Sequence, residues 1–112
     1  MQNSALIGVP FNLQLATTTG NGTVCAVPPA ARNHTIYLTC VGTISTGKVK
    51  VETALTPTES GTWALLGTEQ TLVAGVLAVT IVNTPLKFLR ARISTGITGS
   101  GGSLTADYVG QR

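Results

Sequence analysis

The stretch KVKVETAL, residues 48–55, alternates strictly between two kinds of side chain. One set is Val, Val, Thr and Leu, and the other is Lys, Lys, Glu and Ala. A period of two places successive side chains on opposite sides of an extended backbone. The stretch therefore predicts a β-strand with one face in a core and one charged face toward solvent.

Comparable strands are predicted on both sides of this one. Residues 36–41 alternate in the same way, with Ile36, Leu38 and Cys40 toward the core. Turn signals recur every 8–12 residues or so, a spacing typical of antiparallel sandwiches and barrels. Between the turns, runs rich in β-branched and apolar residues predict further strands near 11–16, 24–27, 63–65, 71–74, 76–82, 88–93 and 104–108.

The pattern as a whole predicts a single all-β domain over residues 1–112, an antiparallel β-sandwich or barrel of about eight short strands. Short turns favour hairpin or meander connections in the second half of the chain. The stretch GITGSGG, residues 96–102, is expected to be a flexible hairpin loop, since a phosphate-binding loop needs a helix after it. Trp63 is expected to anchor the core, because tryptophan buries a large apolar area.

The composition is poor in charge for a freestanding small domain. Only 10% of the residues are charged, 43% are hydrophobic, and the mean hydropathy is +0.34. An average domain has about 25% charged residues, so much of this surface is expected to meet other protein. We expect a homo-oligomer, with a trimer as one candidate. A threonine-rich surface that is simply neutral is the alternative.

The charge pattern argues against nucleic acid and membrane as partners. The net charge is +3, and the seven Lys and Arg residues form no long basic run. The most apolar segment, residues 72–82, is shorter than the roughly 20 residues that a membrane-spanning helix needs. The first ten residues lack the pattern of an export signal, so synthesis in a cytoplasm is expected.

Few residues in the chain could carry out catalysis. His34 is the single histidine, and its position before a predicted strand favours a turn. The four carboxylates are far apart in sequence, whereas general acid–base catalysis needs a titratable group beside a partner. We therefore expect no enzyme and assign no catalytic, cofactor-binding or metal-binding residue. Cys25 and Cys40 are expected to be free, buried thiols, with a bridge between them as the alternative.

Two groups of residues are candidates for contacts between subunits. Residues 1–10 form a candidate N-terminal arm whose apolar side chains, Leu6, Ile7 and Val9, have no obvious partner in the predicted sheets. Such an arm could add to the edge strand of a neighbour. Phe88, Arg90 and Arg92 share one face of a predicted strand, which we expect to be exposed and to pair with acidic groups of another subunit.

Four segments give the second half of the chain a familiar form: VKVE at 49–52, SGTWALLG at 60–67, FLRARI at 88–93 and LTADY at 104–108. In this order they resemble small β-sandwich virion proteins of tailed bacteriophages. The resemblance covers about half of the chain and transfers no functional residue. It implies a capsid decoration or cement protein of the virion, made in the host cytoplasm, whose partners are major capsid or tail subunits. The alternatives are a tail or fibre component and a receptor- or carbohydrate-binding β-sandwich module.

Overall fold

The chain folds into β-strands joined by loops. The computed structural model describes residues 4–58 and 62–112, and no helix occurs within these ranges. All pairings between the strands are antiparallel. The strands are β1 (Phe11–Thr17), β2 (Cys25–Ala26), β3 (Asn33–Val41), β4 (Thr46–Ala54), β5 (Ala64–Leu65), β6 (Gln70–Thr71), β7 (Gly75–Ile81), β8 (Phe88–Thr98) and β9 (Ser103–Gln111).

The strands form two sheets packed against each other. Sheet I has the order β1-β9-β3-β7. Sheet II has the order β2-β8-β4-β5, and β6 also pairs with β4. The prediction of an antiparallel β-sandwich is confirmed, with nine strands in the described ranges where about eight were expected.

The connections differ from the hairpins predicted for the second half of the chain. Outside the β4–β5–β6 segment, each strand is followed by a strand of the other sheet. As a result, β9 lies between β1 and β3, and β8 lies between β2 and β4. The hairpin prediction holds for β4 and β5, which pair antiparallel. For the strands outside this segment it is wrong, because turn residues mark where the chain reverses and do not determine which sheet the next strand joins.

The core consists of the inward faces of both sheets, as the alternation predicts. Ile36, Leu38 and Cys40 of β3 are at most 4% exposed, and Val49 and Val51 of β4 at most 1%. The predicted inward faces of β8 and β9 are confirmed in the same way. Their buried residues are Leu89, Ala91, Ile93, Leu104, Ala106 and Tyr108.

The two cysteines lie in this core but in different sheets. Cys25 is on β2 and Cys40 on β3, and both are buried, free thiols. Burial raises the pKa of Cys25 to about 12 and also raises the pKa of Cys40. Both side chains therefore act as small apolar groups, since the reactive thiolate form is suppressed.

Two loops that cross between the sheets touch at one end of the sandwich. The β3–β4 loop, residues 42–45, donates a backbone hydrogen bond from Thr43 N to Ser100 O of the glycine-rich β8–β9 loop, at 3.0 Å. A Cβ added to Gly42 would lie only 2.2 Å from the carbonyl oxygen of Gly101. The glycines thus allow close contact between two backbones. The flexible hairpin predicted here is wrong, because β8 and β9 belong to different sheets and their loop is packed on a neighbour.

His34 is buried on β3, and the turn predicted for it is wrong. Its Nε2 lies 2.8 Å from the carbonyl oxygen of Thr84. A carbonyl can only accept, so Nε2 of the neutral ring carries the proton. Nδ1 then accepts a hydrogen bond of 2.7 Å from the Tyr108 hydroxyl. Burial raises the pKa of Tyr108, which keeps this phenol protonated and able to donate. With both ring nitrogens satisfied, the core accommodates the imidazole at little cost.

Replacing Tyr108 with phenylalanine should lower the free energy of unfolding by about 1–3 kcal/mol, because the buried Nδ1 of His34 loses its donor. Urea unfolding followed by circular dichroism measures the change. Tyr37→Phe is the matched control, since Tyr37 is 43% exposed and water replaces its hydroxyl. Equal losses in the two variants would contradict the buried hydrogen bond.

Candidate interaction surfaces

The outer face of sheet II holds a compact charged cluster. The register between β4 and β8 sets Glu52 opposite Arg90 and Lys50 opposite Arg92. Nε of Arg90 and Nε of Arg92 both lie 3.0 Å from Oε1 of Glu52, and Nη2 of Arg92 lies 3.3 Å from Oε2. One carboxylate therefore pairs with two guanidinium groups. We call Glu52, Arg90, Arg92 and Trp63, which covers Arg90, the arginine cluster.

Trp63 packs on Arg90 of the arginine cluster instead of in the core. The guanidinium carbon of Arg90 lies 4.2 Å from the centre of the Trp63 ring, a cation–π contact. The indole Nε1 donates to the carbonyl oxygen of Thr58 at 3.0 Å. Trp63 is half-buried and precedes β5, so the prediction that it anchors the core is wrong. The largest side chain that is fully buried is Tyr108.

The same contacts overturn the expectation of an exposed arginine face. Arg90 is buried, with 6% of its side chain exposed, while 29% of the Arg92 side chain is exposed. Both pair with a carboxylate of their own chain rather than presenting free charge to another subunit. Phe88, on the same side of β8, is half-buried. Sequence reasoning missed Glu52 as the partner of both arginines, because alternation had placed Glu52 on the solvent-facing side of its strand.

The electrostatics of this face favour the ionised state of Glu52. Burial alone would raise the pKa of Glu52, but hydrogen bonds and charge from Arg92 and Arg90 together lower it. The hydrogen bonds that Arg92 donates to Glu52 in turn raise the pKa of Arg92. At the rim, the Ser94 hydroxyl donates to Glu69, whose pKa is lowered by this bond and by nearby cations.

Two lysines extend the arginine cluster toward solvent. Lys48 is exposed and Lys50 half-buried on the same side of β4 as Glu52. The described residues of this face thus carry four cations, those of Lys48, Lys50 and the two arginines, and two carboxylates, those of Glu52 and Glu69. The face is positive overall.

The N-terminal stretch, residues 4–10, is held against its own chain. Ala5 N donates to the carbonyl oxygen of Ala26 on β2 at 3.0 Å, and Gly8 N donates to Gly110 O of β9 at 2.8 Å. Ala5 is buried, and Ile7 packs partly against the core. Residues 4–10 therefore do not form the free arm that was expected from the sequence. Their hydrogen bonds run to β2 and β9 of their own chain, which the sequence did not identify as partners of this stretch.

Two of the predicted interface residues nevertheless project from this stretch. Leu6 is 66% exposed and Val9 48% exposed. The stretch also borders a shallow groove of about 600 Å³ that Phe88 lines. The other lining residues are Ser4, Ala26, Val27, Pro29, Pro85, Leu86 and Lys87. The structure therefore brings the N-terminal stretch and Phe88 together, and places the arginine cluster elsewhere on sheet II. A role of these residues in subunit contacts remains a prediction.

β7 is the most exposed strand of sheet I. Five of its seven residues are exposed and two are half-buried. Val76 is 69% exposed and Leu77 38% exposed. Sequence reasoning predicted the strand but missed its place at a sheet edge. The available signal was charge, because no Lys, Arg, Asp or Glu occurs between Glu69 and Lys87.

Metal-binding clusters and membrane-spanning helices are absent from the described residues. Residues 4–58 and 62–112 contain no group of three or more His, Cys, Asp or Glu side chains that could hold a metal ion. Within the same ranges there is also no helix with the length and hydropathy required to cross a membrane. Comparison of the chain with protein-family models, curated proteins and solved structures yields no match.

Proposed function

We propose that the chain is a non-enzymatic structural protein of a virion, most simply a capsid decoration or cement protein. It would stabilise a phage particle by binding major capsid or tail subunits. The supporting observation is the balance of its surface. Eleven large hydrophobic side chains of the described residues are at least 38% exposed, whereas the whole chain has only eleven charged residues. Apolar surface of this extent favours burial against other protein.

The internal use of charge supports the same proposal. The buried charges of the arginine cluster pair with each other, and Arg90 contacts Trp63. These contacts hold the Trp63 segment against sheet II, so the charged groups are not directed at a substrate. The side chains that remain accessible are mostly apolar or neutral. Contacts of such residues depend on shape and burial more than on charge, which suits permanent assembly.

A carbohydrate- or receptor-binding module is the second candidate. Exposed Tyr37 on the outer face of sheet I favours it, since sugars stack on accessible aromatic rings. The position of Trp63 weakens it. One face of that ring is covered by Arg90, and its N–H is bound by Thr58 of the same chain.

The proposed function is tested on particles. Phage particles purified through a density gradient from the source of this chain should contain it at a fixed, stoichiometric copy number. A chain carrying Leu6→Ser and Val9→Ser should fold but occupy fewer sites, because both changes lie on the exposed side of the N-terminal stretch. Point changes are preferable to deletion of the stretch, since Ala5 is part of the core. Particles that lack the chain, together with binding to a glycan array, would overturn the proposal in favour of the second candidate.

A further inference from the structure

The edges of the two sheets are protected to different degrees. β1 breaks register with β9 twice, and its Ala16 has a φ of 49°. β2 is two residues long and is bridged by Ser4. β5 and β6 are also only two residues long. Short strands, bulges and covering segments are the usual means of preventing one sheet edge from pairing with another.

β7 has none of these protections. Its seven residues pair with β3 in unbroken register, from Gly75 opposite Cys40 to Ile81 opposite His34. Within the described part of the chain, β7 pairs with no strand other than β3. It carries no proline and no charge. The outer backbone of β7 is therefore a regular edge some 24 Å long, open to another strand.

We propose that β7 pairs antiparallel with β7 of a second copy of this chain. The two copies of sheet I, each four-stranded, then form one continuous sheet across a twofold axis. Antiparallel pairing of a strand with its own copy closes after two subunits. The contact thus makes a dimer, and larger assemblies would be built from dimers. The inference rests on the proposed role as an assembly subunit, for which it names one partner.

A register centred on Ala78 pairs only uncharged side chains of the two copies. It sets Val76 opposite Thr80, Leu77 opposite Val79, and Gly75 opposite Ile81 of the other copy. Leu77 and Val79 lie on the core side of sheet I, because their β3 partners are the buried Leu38 and Ile36. Leu77 is 38% exposed and Val79 half-buried in the single chain. The second copy would cover Leu77 and Val79, so that the hydrophobic cores of the two subunits become continuous.

The absence of charge selects a second copy over an unrelated strand. A charged residue near a twofold axis faces the same charge of its partner, which opposes self-pairing. The whole segment from residue 70 to 86 is uncharged, so self-pairing meets no such repulsion. A partner recognised by charge would find nothing on β7 to bind. Since backbone hydrogen bonds and apolar contacts carry the interaction, the dimer should depend weakly on salt.

Cysteine cross-linking of the full chain tests both the contact and its register. Ala78→Cys should give a dimer joined at residue 78 when oxidised with copper–phenanthroline, because opposite Cα atoms of paired strands lie about 4.5–5.5 Å apart. Val76→Cys is the matched control on the same exposed face, and its two copies would be about 13 Å apart. Mass spectrometry identifies the joined residues and separates them from Cys25 and Cys40. Efficient linkage through residue 76 alone, or none at either position, would overturn the proposal.

Sedimentation velocity provides a second measurement without cysteines. Ala78→Lys should weaken the dimer by about fivefold, since it sets like charges opposite each other at the axis. Ala64→Lys adds the same charge at an exposed site on β5 and should leave the dimer unchanged. Circular dichroism confirms that each variant is folded, and Ala78→Glu, which also sets like charges opposite each other at the axis, replaces Ala78→Lys if that variant is not. A native chain that is monomeric at high concentration would refute the dimer, yet the particle experiment could still succeed.

Discussion

Replacing Glu52 with glutamine should lower the free energy of unfolding at neutral pH by about 3 kcal/mol, near the low end of the loss seen when one partner of a buried ion pair is removed. Glutamine keeps the size of the side chain and one acceptor oxygen. It removes the charge that Arg90 and Arg92 share at 3.0 Å in a buried position. Urea unfolding at neutral pH measures the loss.

Glu69→Gln is the control for this result, because it removes the same charge from the exposed rim of the same face. The loss of unfolding free energy in Glu69→Gln should be clearly smaller.

The two variants should also differ in their stability at acid pH. The pKa of Glu52 is lower in the folded chain than its ordinary value of about 4.5. The contribution of the Glu52 carboxylate to stability is therefore complete above a pH of about 4.5 and disappears as the pH falls through the pKa of Glu52 in the folded chain. The native chain should lose stability in this range, and Glu52→Gln should lose less. Identical acid profiles would show that the carboxylate does not stabilise the fold.

Gly42→Ala should lower the free energy of unfolding, because the added methyl group would collide with the backbone of the neighbouring crossover loop. Gly42 has a φ of 75°, and a methyl group there would lie 2.2 Å from one backbone atom of Gly101 and 2.4 Å from another. The unfavourable conformation costs roughly 1–2 kcal/mol, and forcing the loops apart adds roughly 1–3 kcal/mol. Thermal and urea unfolding give the total.

Gly101→Ala separates these two causes. Gly101 has nearly the same φ, 69°, but a methyl group there has no atom within 4 Å. This variant should show the conformational cost alone. The difference between the two variants then measures the contact between the two loops. If both lose the same stability, the loops do not press on each other as described.

The sequence predicts local structure well where one residue's environment follows from its neighbours in the chain. Alternation at 36–41 and 48–55 located two strands and most of their buried residues correctly. Leu55, which was predicted to face the core, lies beyond β4 and is 83% exposed. It misplaced Glu52 and Arg90, because their burial depends on Trp63, which reaches them from a separate segment. His34 was misplaced for the same reason, since its partners Tyr108 and Thr84 are distant in sequence.

The candidate surfaces were only partly foreseen. Leu6 and Val9 are exposed, as an interface requires, although the stretch that carries them is bound to its own domain. The open edge of β7 follows from strand order, which alternation does not encode. Strand order in turn depends on how the crossover loops pass between sheets, and glycines such as Gly42 show only that two backbones approach closely.

The position of β9 between β1 and β3 has a consequence for the time course of folding. On the ribosome, β1 and β3 are made early, but the strand that joins them emerges only after β8. Until then β1 lacks its partner, and the uncharged β7 is already synthesised. Pairings between distant parts of a chain form slowly, and unpaired edges on a nascent chain invite association with neighbouring chains. Chains on one polysome should therefore benefit from a chaperone that holds β7 until β9 arrives.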